Sequence, residues 1–158
     1  VFDHYQDTIL LVDKGEKPVS STVGHNLMHN HAYAASRFDQ AVENLALLVP
    51  ILKEGNLDEF VSLVESEALT LHAMMLTSKP YFILMKPNTL KIIDKIWEYR
   101  RDTSIPVCFT LDAGANVHVL YPKKDKEAVQ EFIKNDLSIY CQDNRYIFDN
   151  VGNGAIKL

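Results

Sequence analysis

The chain is poor in cysteine: Cys108 and Cys141 are the two present in 158 residues. Both stand in apolar, strand-like contexts, and they read as buried reduced thiols rather than a disulfide framework. No apolar run approaches the roughly 20 residues of a membrane-spanning helix, and no signal peptide opens the chain. There is no excess of basic charge. Sixteen Lys and Arg stand against twenty-one Asp and Glu, a formal net charge of −5, which argues against nucleic acid or an anionic membrane as the main partner. A local basic pocket for an anionic substrate is compatible with that balance. The chain also has no internal repeat, low-complexity tract or linker, and no glycine-rich phosphate loop.

What is present suits one soluble globular domain, at 47% hydrophobic and 23% charged residues. A chain of this length buries roughly 68–70% of its extended surface, so it needs no metal or disulfide to hold a core. It starts at Val1 and runs directly into a strand, "DTILLVDKG", as expected of a piece of a longer protein. "EKPVSSTVG" then reads as a polar loop that turns helical near Val23 or Gly24. Phe38, Ala41/Val42, Leu45, Leu48/Val49 and Leu52 form one apolar helical face, expected to pack on the core. Gly55 is the predicted C-cap and Asn56 the next N-cap, with Glu59 placed as in a capping box. The second helix carries Phe60, Val61, Val64, Ala68, Leu71 and Met75 on one side. A third, with Asn88 as its expected cap, turns Leu90, Ile93, Ile96 and Trp97 inward.

Strand-formers alternate at Val107, Phe109 and Leu111 and return at Val117 to Tyr121 across an Ala-Gly-Ala-Asn turn. A short amphipathic helix capped by Asp125 and one or two closing strands follow. The order strand, helices, strand, strand, helix, strand predicts an α+β domain of ferredoxin-like, split βαβ type. It has a four-stranded antiparallel sheet, helices on one face, and extra helices in the first crossover.

Several residues are candidates for chemistry. His25 and His29 lie one helical turn apart, but no glutamate sits between them where a zinc hydrolase needs its base, so capping or solvation is the favoured reading over a metal site. Glu67 and His72 lie toward the end of the long helix, where a histidine interacts with the terminal carbonyls. Ser20, Ser21 and Thr22 crowd a loop-to-helix junction with Gly24 close behind; one hydroxyl suffices as a cap, and three suggest an anion-binding corner. Asp112 shares a strand face with Thr110 and Cys108. Gly114 and Asn116 make the turn, so Asp112 is free to serve as a hydroxyl-orienting base at a rigid strand end.

"VSSTVG" after a strand, "LHA" on a long helix followed by proline, "FTLDAGANV" on a hairpin and a closing "VGNG" occur in this order. Together they resemble the C-terminal half of the mevalonate diphosphate decarboxylases of the GHMP kinase superfamily. The D-A-G-x-N element is the most specific part, because small-molecule kinases of the superfamily carry a glycine-rich loop in the corresponding hairpin. The resemblance covers nearly the whole chain. It implies that residues 1–158 are a GHMP-type C-terminal domain whose N-terminal, ATP-binding domain lies elsewhere.

The resemblance further implies ATP-dependent phosphorylation of the 3-hydroxyl of mevalonate 5-diphosphate. Loss of phosphate and carbon dioxide then gives isopentenyl diphosphate. It makes Asp112 the catalytic residue. It assigns Ser21, Thr22 and Gly24 to the substrate diphosphate loop, and Asn116 to the substrate-binding set in a supporting role that His72 shares. His25 stands where the family has methionine. ATP and Mg²⁺ are expected in the full-length enzyme, held mainly by the other half, with none bound by this chain alone. A cytoplasmic homodimer is implied. The alternatives are a sibling kinase that releases no carbon dioxide or takes mevalonate lacking the diphosphate, and a non-catalytic ferredoxin-like ligand-binding module.

Overall fold

The structure, a computed structural model, describes residues 1–15 and 28–152. A short 3-10 turn, Phe2–His4, leads into β1 (Gln6–Leu10). Three long helices follow: α1 (Ala34–Glu54), α2 (Leu57–Thr77) and α3 (Pro87–Thr103). The hairpin β2 (Cys108–Leu111) and β3 (Val117–Tyr121) precedes α4 (Lys126–Phe132). A π turn at Ile133–Leu137 and two 3-10 turns then deliver β4 (Tyr146–Asn150). The four strands form one antiparallel sheet in the order β2-β3-β1-β4. Each crossover skips one strand, which is the split βαβ arrangement the element order predicts.

Strand alternation sorts side chains between the two sheet faces. Leu10, Phe109, Leu111, Val117, Val119 and Tyr121 turn to one face and are sealed by Ile92, Ile93 and Ile96 of α3 and by Val129 and Phe132 of α4. The Tyr121 hydroxyl, fully buried there, shares a 2.7 Å hydrogen bond with Thr8 Oγ1, so its polar atom is satisfied. A smaller cluster of Tyr5, Ile51, Phe60, Val61 and Cys108, with Leu120 packed against it, closes one end of the other face under the α1–α2 turn. Gly55 makes that turn at φ 73°, and a Cβ there would stand 2.8 Å from Val1. Asn56 accepts from the Glu59 amide at 3.3 Å, the cap expected from sequence.

Both cysteines are buried, Cys108 in β2 and Cys141 between 3-10 turns; burial pushes the Cys141 thiol up to about 11 and the Cys108 thiol higher still. That keeps them un-ionised and unreactive.

The outer edge of β2 is closed by an ion pair. Glu65 of α2 accepts both arms of the Arg100 guanidinium, at 2.7 and 3.0 Å, and the Trp97 indole N–H at 2.9 Å. It also meets the outward amide of Phe109 at 3.4 Å, while Arg100 reaches the Val107 carbonyl. A helix laid on an edge strand removes a template for unwanted pairing.

Three local expectations are corrected. Asn88 does not cap α3: Pro87 occupies the first turn, and the Thr89 hydroxyl accepts the Lys86 amide instead. Leu90 and Trp97 are exposed, at 51% and 40%, and Ile92 takes the inward place beside Ile93 and Ile96. The apolar face of α1 is the largest departure. Phe38, Val42, Leu45, Val49 and Leu52 all face outward, while Ala41 is half-buried and Leu48 packs on the smaller core cluster as expected. The helix is docked by its neighbouring stripe, where Arg37 and Asn44 grip Glu67 of α2 at 2.7 and 3.0 Å and Ile51 enters the core. Two bonds to one carboxylate set the rotation of α1. The helix start expected near Val23 or Gly24 lies outside the described residues.

Candidate active site

Asp112 directly follows β2, at the mouth of the hairpin, and is exposed. Its surroundings fix the backbone that carries it. The Nε2 of His72, a residue only 2% exposed on α2, donates to the Asp112 carbonyl at 3.2 Å. The Gly114 amide turns back onto the same oxygen at 2.6 Å. The buried Thr89 hydroxyl at the start of α3 donates to the Ala115 carbonyl at 2.7 Å. On the opposite side of the turn, Asn116 Oδ1 accepts the Asp13 amide at 3.1 Å. Helix α2, helix α3 and the segment after β1 thus each hold one point of the hairpin. A functional carboxylate on such a support keeps its geometry under load.

The asparagine bond reaches further. Asp13 Oδ1 accepts the Gly15 amide at 2.8 Å, and the Lys14 amide donates to Gln142 at 2.9 Å. Asn116 therefore ties the hairpin to the chain that leads into residues 16–27. Ser21, Thr22, Gly24 and His25 lie in that segment, outside the described residues, so their geometry is not described.

The sheet face that carries Thr110 also carries a pair not foreseen from sequence. His118 Nδ1 stands 2.8 Å from Asp7 Oδ2 across the β1–β3 ladder. His118 is directly opposite Thr110 on β2 and Ile9 on β1. The Asp7 carboxylate raises the imidazole above its ordinary range against the pull of partial burial, and Asp112 adds to the rise. His72 behaves in the opposite sense: burial lowers it, and the Asp112 carbonyl and charge offset only part of that. Two histidines close to one aspartate are thus set apart, one favoured as a cation and one as a neutral donor. The available signal for His118 was its place in "VHVLY", where period two turns it away from Val117 and Val119.

His31 is structural. His31 Nδ1 accepts the Tyr33 amide, so Nε2 carries the proton and meets the Met74 carbonyl and Thr77 hydroxyl, each at 3.1 Å. That satisfies a terminal carbonyl of α2, a capping role. His29 is exposed. Among the described residues no group of three His, Cys, Asp or Glu side chains is placed to hold a metal ion.

The strand order and the supported hairpin define the class first: this is an α+β domain of split βαβ type with one four-stranded antiparallel sheet. The family follows from sequence. The mevalonate 5-diphosphate decarboxylase C-terminal domain matches residues 8–154, and the chain belongs to that family. It superposes on mevalonate pyrophosphate decarboxylase from Streptococcus pyogenes with a TM-score of 0.84 and 24% identity, covering 98% of this chain and 46% of that one. It also resembles a structure described as "MDDEF in complex with MVAPP, AMPPCP and Magnesium", with a TM-score of 0.79 and 26% identity over 92% of this chain and 43% of that one. Phosphomevalonate decarboxylase of Haloferax volcanii is 26% identical over 82 residues, 52% of this chain and 25% of the relative. The chain thus spans less than half the length of these structures, and its match spans a quarter of the curated relative.

Proposed function

We propose that this chain is the acceptor-substrate domain of an ATP-dependent decarboxylase that converts mevalonate 5-diphosphate to isopentenyl diphosphate. The observation that carries the reading is Asp112, a carboxylate at the end of β2 whose backbone is held by His72, with the turn anchored through Thr89 and Asn116. ATP, with Mg²⁺, supplies the phosphoryl group, and in this reading both are held by a further N-terminal domain.

In this scheme Asp112 receives a hydrogen bond from the tertiary 3-hydroxyl and takes its proton as the oxygen forms its bond to phosphorus. Departure of the phosphate with the C–O electrons leaves electron deficiency at C3. The C1–C2 bond electrons then fill it, making the double bond and releasing carbon dioxide. Ser21, Thr22 and Gly24 hold the diphosphate. Asn116 supports that loop through Asp13.

In the full-length enzyme Asp112→Ala is expected to lower turnover by roughly 10²–10⁴, the usual contribution of a general base, with substrate binding little changed. Near-normal turnover would end the assignment. A second reading replaces the diphosphate by a monophosphate, and the name of the Haloferax relative favours it. Comparing turnover of mevalonate 5-phosphate and 5-diphosphate, with product analysis for carbon dioxide, separates the two and also detects a kinase that does not decarboxylate.

A further inference from the structure

The open face of the sheet carries a row of charged side chains that the strand registers set side by side. His118 on β3 is directly opposite Thr110 on β2, so its diagonal neighbours there are Cys108 and, one residue past the end of the strand, Asp112. On its other side His118 is directly opposite Ile9 on β1, and the diagonal neighbour Asp7 meets it, Oδ2 to Nδ1, at 2.8 Å. Asp7, His118 and Asp112 thus follow one another across three strands, at the roughly 7–8 Å steps of diagonal pairs. The two nitrogens of an imidazole point away from each other. With Nδ1 committed to Asp7 on the β1 side, the Nε2 edge turns toward β2 and the strand end that carries Asp112.

We propose that His118, clamped by Asp7, is a positioning residue for Asp112: the imidazolium keeps that carboxylate ionised and turned toward the 3-hydroxyl of the acceptor substrate. This rests on the role proposed for Asp112. Phosphoryl transfer through a loose transition state asks little basicity of the group that receives the hydroxyl proton, and much of its placement and charge. A cation beside Asp112 meets that demand, because it weakens the carboxylate as a base while holding it in the ionised form. His118 is protonated before the step and takes no proton in it. The hydroxyl proton goes to Asp112 alone.

The other groups around His118 leave this role to it. Asp7 favours the imidazolium, first through its hydrogen bond, against the effect of partial burial, and Asp112 adds to the same sense. Asp149 of β4 stands opposite Asp7 at the exposed end of the row. Tyr5 and Cys108, further along the face, are buried and un-ionised, and Glu65 is locked to Arg100. Asp13, after β1, engages the Gly15 amide and Lys86. His72 reaches Asp112 from α2 through the backbone carbonyl as a neutral donor, so it holds position without supplying charge. The side chains of His118 and Asp7 are 27 and 29% exposed, open to titration yet only partly screened.

The pH dependence of kcat/KM in the full-length enzyme at saturating Mg²⁺–ATP is the test, with a melting curve for each variant. His118→Gln is expected to move the acid limb, which Asp112 sets, upward by about one pH unit, and to lower kcat about tenfold with KM little changed. His118→Lys keeps a cation that does not titrate below about pH 10, so the acid limb should stay in place, most of kcat should return, and the alkaline decline due to His118 should disappear. Asp7→Asn should leave the acid limb alone, since His118 is protonated there with or without Asp7, and should bring the alkaline decline to lower pH. An acid limb unmoved by His118→Gln, a His118→Lys enzyme that behaves as His118→Gln does, or an alkaline decline indifferent to Asp7→Asn would overturn the proposal. Asp7→Asn leaves the imidazole in place and carries the test even where His118→Gln melts below the assay temperature. Near-normal turnover of Asp112→Ala would instead remove the underlying reading, whereas a large loss there with unmoved limbs in the His118 variants defeats the positioning role alone.

Discussion

His72 stands beneath Asp112, forty residues away in sequence, with its Nε2–H on the Asp112 carbonyl at 3.2 Å. The side chain that the sequence offers as a helix-end histidine is a buried strut for the strand end. His72→Ala leaves that carbonyl with the Gly114 amide as its one remaining partner of the two and empties a buried position on α2, at a cost of about 1–3 kcal/mol. It also frees the position of Asp112. We expect the melting temperature to fall, and kcat of the full-length enzyme to fall up to about 10²-fold with KM little changed, because sub-ångström placement governs such steps. His72→Gln retains a donor at comparable reach and should recover part of kcat. Equal losses in both variants would contradict the strut.

His72 and His118 should tilt the pH dependence of stability in opposite directions. Burial lowers His72 in the folded state. The unfolded chain then binds more protons below its ordinary value of about 6.5, so the contribution is complete above that pH and is lost as pH falls toward the depressed value. Asp7 raises His118 when folded. Its contribution is complete below about 6.5 and is lost as pH rises through the elevated value. Urea unfolding between pH 5 and 8.5 should therefore show His118→Gln flattening the alkaline limb while leaving the acid limb in place.

Glu65 is expected to be the most costly single carboxylate to remove. Glu65→Ala strands the Arg100 guanidinium and the Trp97 and Phe109 N–H groups together, a loss of about 3–5 kcal/mol for a broken buried pair. Denaturant titration would register it as a lower midpoint. Glu65→Gln keeps an acceptor and should lose less.

The α1–α2 turn offers a backbone test. Gly55→Ala places a Cβ at φ 73° and against Val1, so it should destabilise by more than the ~1 kcal/mol of an ordinary glycine substitution. Asn56→Ala removes the cap on Glu59 and should cost about 1 kcal/mol. Thermal unfolding of both variants checks the ranking.

Nucleotide binding provides a further check on the division of labour. Isothermal titration of this domain with Mg²⁺–ATP should show no tight binding, because the phosphate-holding parts are assigned to the further domain. A tight isotherm would contradict that assignment.

Alternation at 107–111 and 117–121, together with the order of elements, was enough to predict the split βαβ sheet. The Gly55–Asn56 junction was equally legible, because both caps act within one turn. Helix α1 was not. Amphipathicity identifies an apolar face, but it is silent on what covers that face, and two bonds to Glu67 turned the stripe outward. The α3 cap was misread for a local reason: Pro87 shifts the start, and Thr89 rather than Asn88 reaches back. At the candidate site, Asp112 stood out because the turn did not need it. The Asp7–His118 pair could not be read so directly, since it exists only through the register of β1 on β3.

The Thr89 oxygen has two duties, accepting the Lys86 amide and donating to the Ala115 carbonyl. One atom therefore couples the first turn of a seventeen-residue helix to the tip of the aspartate hairpin. If Asp112 takes the role proposed for it, strain applied to the hairpin by a docked ligand would reach the α3 start, and fraying of that helix end would loosen the hairpin. Protection of the Lys86 amide against deuterium should then track occupancy at Asp112, giving a backbone reporter of ligand engagement that requires no catalytic turnover.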